Sequence, residues 1–342
     1  MIELQGDYLE GGGSIVRLAV ALSAITKKPI KITNIRQGRK KPGLKTQHLR
    51  AIETVANLCN AELRGAELGS TKIEFYPKEI QAKKLNVNIE TSGSVGLLLQ
   101  CVMIPCFFSN APIEIEIKGG GTFGLYSPNI LYTKEVLLPT IKKLGFDAEI
   151  EIKKHGFFPK GGSDIICRIK PFEKGNLLIL KERGNLKEIN GISIASAHLK
   201  KANVAERQSD AAKKLLAKED FNDVKIKNEY AESLCPGSAI LLYANFENSI
   251  LAYDALGELG KKAEKVGEEA AAGLLKQLKT NAALDEFMSD QILIYLALAK
   301  QHSIIKISEL TSHAKTNIWL IKKFLDVDFK IEDTTIEIIP GT

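Results

Sequence analysis

The chain has 342 residues, 44% hydrophobic and 26% charged, with 47 Lys and Arg against 41 Asp and Glu for a formal net charge of +6. This is globular composition, long enough for one large or two smaller domains, and the mild positive excess permits a nucleotide or nucleic-acid partner without requiring one. Five scattered cysteines with no Cys-x-x-Cys pair argue against a disulfide framework or a zinc site and fit a reducing cytosol.

In chain order, Met1 to Leu4 starts directly as a strand with no signal-peptide pattern, so a cytoplasmic protein is expected. A strand over 2–6 leads through a glycine-rich turn to a helix over 14–26, where Ile15, Leu18, Leu22 and Ile25 recur at helical spacing. A strand over 30–35, a basic loop, a helix over 44–59 and strands over 62–68 and 71–76 complete a βαβαββ order. The order returns with a strand over 85–89, a helix over 95–108, a strand over 113–117, a helix over 130–144 and strands over 148–152 and 164–169. The run 95–108 is the most apolar in the chain, but it contains Gln100 and Pro105 and falls short of the ~20 residues a membrane span needs. Gly13-Ser14-Ile15-Val16 and Gly93-Ser94-Val95-Gly96 open the first helix of each copy, which marks an internal repeat.

A third copy is expected at the C-terminus, as a helix over 291–299, a strand over 304–307, a helix over 318–325 and strands over 329–331 and 336–339. Between copies two and three, strands over 192–197, 224–230, 239–246 and 250–254 and helices over 204–217 and 267–278 read as a small inserted domain with its ends close together. The fold class is α/β, of the α+β kind. Three βαβαββ repeats form a large domain with a smaller inserted α/β domain, divided as 1–182, 183–280 and 281–342. The segments 44–48, 129–133 and 315–318 fall at corresponding helix starts, so a shared anion-binding crevice is expected.

Several residues stand out chemically, each with a plainer alternative. Glu10-Gly11-Gly12-Gly13 precedes Arg17, the only charge between Ser14 and Thr26; it suits a phosphate site or a plain turn with an arginine reaching solvent. Arg36, Arg39, Lys40 and Lys41 crowd one loop, which suits a shared phosphate or a solvated surface, and Gln47 and His48 follow on the next helical turn. Gln100 pairs with a nucleotide or is a satisfied core amide. Asp290 is a helix cap or a divalent-metal carboxylate. His313 is expected just before a helix N-terminus, where it attacks a phosphate or is ordinary loop surface with Ser312 and Thr316 as caps. The turn His155-Gly156-Phe157-Phe158-Pro159-Lys160-Gly161-Gly162-Ser163 has too many special residues for a generic hairpin.

These segments together resemble the RNA 3'-terminal phosphate cyclase family over nearly the full chain. The carriers are the His-Gly-x-x-Pro-x-Gly-Gly turn at 155–162 and the His-x-x-Thr-Asn segment at 313–317. Where the family usually shows a third glycine this chain has Ser163, and where many members have tyrosine it has Phe287, so stacking is retained and a hydroxyl is lost. The resemblance implies a ligase-type enzyme that adenylates His313 with ATP, passes AMP to an RNA 3'-phosphate, and lets the 2'-hydroxyl displace AMP. It implies ATP contacts at Gln100, Pro128, Phe287, Met288, Ser289, Asp290 and Gln291, with Pro128 and Phe287 on the two faces of adenine. It further implies RNA-phosphate contacts at Arg17, Arg36, Arg39, Gln47 and His48, and carboxylates Glu10 and Asp290 for Mg²⁺ or Mn²⁺. Partners are then RNA with a 3'-terminal phosphate and ATP, with no membrane, and a homo-oligomer is left open. The competing readings are a cyclase-like ribosome-biogenesis protein, which lacks the histidine, an RNA-end binder without turnover, and an enolpyruvyl-transferase-like enzyme.

Overall fold

The computed structural model describes residues 1–125 and 127–341. The first repeat comprises β1 (Ile2–Gln5), α1 (Ser14–Thr26), β2 (Ile30–Thr33), α2 (Thr46–Leu58), β3 (Glu62–Arg64) and β4 (Ile73–Tyr76). The second comprises β5 (Leu85–Ser94), α3 (Val95–Cys106), β6 (Ile113–Gly121), a helix in three parts, β7 (Ala148–Lys154) and β8 (Asp164–Ile169). That helix starts as α4 (Ile130–Tyr132), widens to a π-turn over Thr133–Leu137, and ends as α5 (Leu138–Lys142), so the single helix expected over 130–144 carries a bulge.

The third repeat departs from expectation in an informative way. Its first strand, β9 (Ile179–Leu180), lies before the inserted domain, and pairs parallel with β14 (Ser303–Lys306) across Ile179↔Ile304 and Leu180↔Ile305. The insert follows as β10 (Leu186–Ser196), a 3-10 turn (Ala197–Ala202), α6 (Val204–Ala217), β11 (Val224–Ala231), β12 (Ser238–Phe246), β13 (Ile250–Leu256) and α7 (Ala263–Lys279). The chain then resumes with α8 (Met288–Gln291), α9 (Leu293–Ala299), β14, α10 (Ser312–Phe324), β15 (Val327–Glu332) and β16 (Thr335–Pro340). Sheet orders β1-β2-β4-β3, β5-β6-β8-β7 and β9-β14-β16-β15 are therefore the same topology three times, with the insert spliced between the first strand and first helix of the last copy. In each, the first two strands are parallel and the remaining pairs antiparallel.

The physical cause of this arrangement is in the side-chain pattern. Strands such as Ile30–Thr33 and Ile73–Tyr76 alternate buried and half-exposed residues, so each sheet has one apolar face for helices to cover. Helix α1 is buried from Ile15 to Ala24, because helices of all three repeats, α2, α3 and α10, pack around it. One apolar core runs through the three repeats, and Leu22, Ile52, Leu98 and Ile321 are among its fully buried members. Truncating one such leucine to alanine costs about 2–5 kcal/mol.

The insert has its own core, formed where α6 and α7 cover one face of the sheet β11-β10-β12-β13. Its other face is not free. Ile194, Ala239, Leu241 and Ala252 join the core of the large domain. The insert's two ends meet where Arg183 Nη2 donates to the Leu278 carbonyl at 2.9 Å. The unusual turn at 155–163 is part of this docking. Cys235 Sγ of the insert reaches the carbonyls of Phe157 and Phe158, and the Phe157 ring lies where a side chain at Gly237 would be. His155 is buried against Phe123, its ring 5.3 Å away, and shares a 3.1 Å hydrogen bond with Thr122 Oγ1. Among the described residues, no helix is long and apolar enough to cross a membrane.

Candidate active site

The start of α10 differs from the sequence expectation. Thr311 is the cap, its Oγ1 accepting from the Ala314 amide at 3.0 Å, so the helix begins at Ser312 and His313 lies in its first turn rather than before it. Thr316 is not a cap; its hydroxyl donates to the Ser312 carbonyl at 2.8 Å. The His313 side chain is 47% exposed, open to a ligand yet fixed on a helix. From the same helix Thr316 Oγ1 accepts from the Glu10 amide at 3.3 Å, and Asn317 Nδ2 donates to the Asp290 carbonyl at 3.0 Å. The Thr-Asn pair thus ties both candidate carboxylate residues to the histidine's helix.

Glu10 is the hub. One carboxylate oxygen, Oε2, accepts from the Gly12 amide at 2.7 Å and from Ser14 Oγ at 2.9 Å, which also serves the uncapped start of α1. The other, Oε1, takes Arg39 Nη2 at 2.5 Å and lies 3.8 Å from His313 Nε2. Arg39 is half exposed, whereas Glu10 is nearly buried.

Arg17, expected at this site, is buried on α1. Its Nη2 donates to Gln100 Oε1 at 3.5 Å, while its Nε has no partner among the described residues. Burial lowers its pKa, with Cys101, Glu10 and Asp290 acting against that shift, and a guanidinium stays charged throughout. A buried cation with an unpaired donor is an unmet demand for an anion. His48 is buried beside it, its Nδ1 accepting from the Lys45 amide at 3.2 Å. Burial, then the cations Arg17, Arg36 and Lys45, push its pKa down to about 3, so it is neutral. Gly13 is required here, because a Cβ would collide with the His48 and Arg17 side chains.

The basic loop divides its labour. Arg36 turns inward and its Nη1 donates to the carbonyls of Lys41 and Gly43 at 3.0 and 2.7 Å, so it shapes the loop. Lys45 feels the crowding: burial lowers its pKa first, followed by Arg36, Lys41 and Arg39. Gln47 Oε1 accepts from the Ser94 amide at 2.9 Å, joining the starts of α2 and α3.

A relay of amides leads from Arg17 to the segment 287–291. Gln100 Nε2 donates to Gln291 Oε1 at 3.1 Å, and Gln291 Nε2 donates to the Phe287 carbonyl at 2.9 Å. The Pro128 carbonyl packs on α3 at Gly96, one turn before Gln100, where a Cβ would not fit. Pro128 and Phe287 are therefore both fixed to the same stretch of α3. Met288 and Ser289 are buried, and Ser289 Oγ donates to the Glu286 carbonyl at 2.7 Å, so their side chains serve the core rather than a crevice. Asp290 sits inside α8 and is not its cap. Burial raises its pKa to about 7, with Asp285 adding to the rise and Arg17 opposing it.

The capping carboxylate is Asp285, which the sequence reading passed over. Its Oδ1 accepts from the amides of Phe287 and Met288 at 3.0 and 2.9 Å. The signal was present as an aspartate two and three residues before the amides it caps. Among the described residues, no group of three or more His, Cys, Asp or Glu side chains gathers to hold a metal. Glu10 and Asp290 nevertheless offer oxygen donors suited to a hard divalent cation, and the desolvated Asp290 carboxyl lacks an ion-pair partner among the described residues.

With this geometry in hand, likeness to known proteins is specific. A family model described as RNA 3'-terminal phosphate cyclase matches residues 8–331. A protein of Pyrococcus abyssi named RNA 3'-terminal phosphate cyclase is 42% identical over 332 residues, covering 97% of this chain and 95% of its own. Relatives of the same name from Methanosarcina barkeri and Thermococcus kodakarensis are each 41% identical; the first covers 97% of both chains, the second 100% of this chain and 97% of its own.

Proposed function

The chain belongs to the RNA 3'-terminal phosphate cyclase family, and from that premise we propose that it converts an RNA 3'-terminal phosphate to a 2',3'-cyclic phosphodiester at the expense of ATP, through a covalent histidyl-AMP. The observation that carries the mechanism is the half-exposed His313 side chain with its Nε2 3.8 Å from Glu10 Oε1, on a carboxylate that also binds Arg39 and the glycine-rich turn.

In the first step the lone pair of the His313 imidazole attacks the α-phosphorus of ATP. A P–N bond forms, the α–β phosphoanhydride breaks, and pyrophosphate leaves with the bonding pair. Pro128 and Phe287 hold the adenine, and Gln100 and Gln291 orient Phe287 and Arg17 relative to one another. In the second step an oxygen of the RNA 3'-phosphate attacks the same phosphorus and the P–N bond returns its electrons to the imidazole. The product, RNA-(3')pp(5')A, is then attacked at its 3'-phosphorus by the adjacent 2'-hydroxyl. That hydroxyl loses its proton, AMP leaves, and the ring closes. Because nucleophile and phosphorus belong to one nucleotide, this last step needs positioning and a good leaving group above all.

Arg17 and Arg39, with Gln47 and neutral His48 beside them, hold the RNA phosphate; Arg36 supports the loop that carries Arg39. Recognition through phosphate and 2'-hydroxyl carries little base preference. A divalent cation such as Mg²⁺ or Mn²⁺ held by Glu10 and Asp290 supplies charge neutralisation for the triphosphate. The reading divides the chain at 1–182, 183–280 and 281–342, and it places the protein in a reducing cytosol, in keeping with five free, buried cysteines. It is tested by incubating the protein with ATP and 3'-phosphorylated RNA. A phosphatase-resistant cyclic end with AMP release is expected, and binding without AMP release would contradict it.

A further inference from the structure

Asp285 is fully buried and accepts four hydrogen bonds from three separate parts of the molecule. Its Oδ1 takes the amides of Phe287 and Met288, at 3.0 and 2.9 Å, together with the Tyr132 hydroxyl at 2.7 Å. Its Oδ2 takes the Ala252 amide of strand β13 at 2.9 Å. Tyr132 belongs to the large domain, immediately before the π-turn, and Ala252 belongs to the insert. The consequences converge on one ring. The Tyr132 ring meets Phe287 edge-on, with centroids 5.9 Å apart, and Tyr253, next to Ala252, meets it at 5.3 Å. The Phe287 amide is held by Asp285, and its carbonyl by Gln291.

We propose that Asp285 is a positioning residue for the nucleotide: a buried carboxylate that clamps the Phe287 backbone, Tyr132 and the inserted domain into one unit, and so sets the ring on which adenine rests. The inference rests on the reading that Phe287 contacts the base. It gives the inserted domain a definite part in the reaction, as the third wall of the clamp.

Four donors aimed at one carboxylate explain why its replacement is felt locally. An asparagine of the same shape keeps one acceptor oxygen but turns an NH₂ toward a donor, and loss of one buried partner leaves the other groups unsatisfied. The clamp then loosens where the Phe287 amide begins. Ground-state and transition-state binding of ATP weaken together, whereas attack at the RNA phosphate, held by other residues, is untouched.

The experiment is labelling of the full-length protein by α-labelled ATP over a range of ATP concentrations, in wild type, Asp285→Asn, Phe287→Ala and the double variant. Thermal midpoints are recorded alongside. Asp285→Asn is expected to raise half-saturating ATP about 10-fold with the maximal rate nearly kept, and to add less than about 2-fold in the Phe287→Ala background. The half-saturating RNA concentration, measured with pre-adenylated protein, should not move. A rise for Phe287→Ala with no rise for Asp285→Asn overturns the clamp while keeping the nucleotide site. No rise for Phe287→Ala overturns both. Full additivity in the double variant overturns the route through Phe287. If Asp285→Asn does not fold, Tyr132→Phe removes one donor alone; a rise of about 3-fold is expected, and unchanged ATP saturation overturns the proposal.

Discussion

His313 Nε2 lies 3.8 Å from Glu10 Oε1, and one turn along the same helix Thr316 accepts the Glu10 amide at 3.3 Å. The first and third repeats are thus joined one turn from the histidine expected to do the chemistry. Glu10 also takes Gly12, Ser14 and Arg39, so it organises the glycine-rich turn as well as the histidine's surroundings. Glu10→Ala is therefore expected to slow self-adenylation by about 10²-fold and to cost about 1–3 kcal/mol of stability through unpaired donors. Labelling kinetics and a denaturant titration check the two effects, and a loss of stability with unaltered labelling would make Glu10 structural only.

Among the described residues the half-exposed Arg39 side chain is anchored only by Glu10, so it can swing to a phosphate without disturbing the core. Arg39→Ala should impair ring closure about 10-fold or more while self-adenylation changes little. Single-turnover assays of the two steps separate them, and equal losses in both would remove Arg39 from the RNA phosphate.

Burial raises the Asp290 carboxyl to about 7, and a bound cation would favour its ionised form. Asp290→Asn is expected to raise half-saturating Mg²⁺ in self-adenylation at least about 10-fold, and a chelator should abolish wild-type labelling. Metal dependence identical to wild type would confine Asp290 to its helix.

The pH dependence of stability follows from His48. Its folded pKa of about 3 lies below the ordinary 6.5, so the unfolded chain binds the proton more readily. The stability it contributes is fully present above pH 6.5 and is lost as pH falls from 6.5 toward 3. At pH 4 the loss is at most about 3 kcal/mol. His155, lowered to about 4 chiefly by burial, acts in the same direction. His48→Gln should flatten the fall of the thermal midpoint between pH 6.5 and 4; an unchanged slope would mean that the histidine is not buried neutral.

Much of the fold was legible because the repeats carry the same local signals: glycine before the first helix, strict alternation in the strands, an apolar helix between. The third repeat was harder. Its first strand is two residues, Ile179 and Leu180, and its partner lies beyond the whole insert, at Ile304 and Ile305, so neither length nor proximity announces it. The start of α10 is ambiguous in sequence for a local reason: Thr311, Ser312 and Thr316 all resemble caps, and only the backbone decides that Thr311 fills that role. Residue types at the site, a histidine after a hydroxyl-rich loop and arginines on a glycine-flanked loop, were readable. The inward turn of Arg36 and the fourfold use of Asp285 were not, since both depend on carbonyls and amides that tertiary packing brings near.

The most direct test of the central claim is incubation of the purified protein with α-labelled ATP and Mg²⁺, with any labelled protein then treated with acid and alkali. The account predicts a covalent AMP adduct that is acid-labile and alkali-stable, as a phosphoramidate is, and that vanishes in His313→Ala while the thermal midpoint stays near that of wild type. An adduct that persists in folded His313→Ala, or no adduct in the folded, metal-supplied wild type, would contradict it.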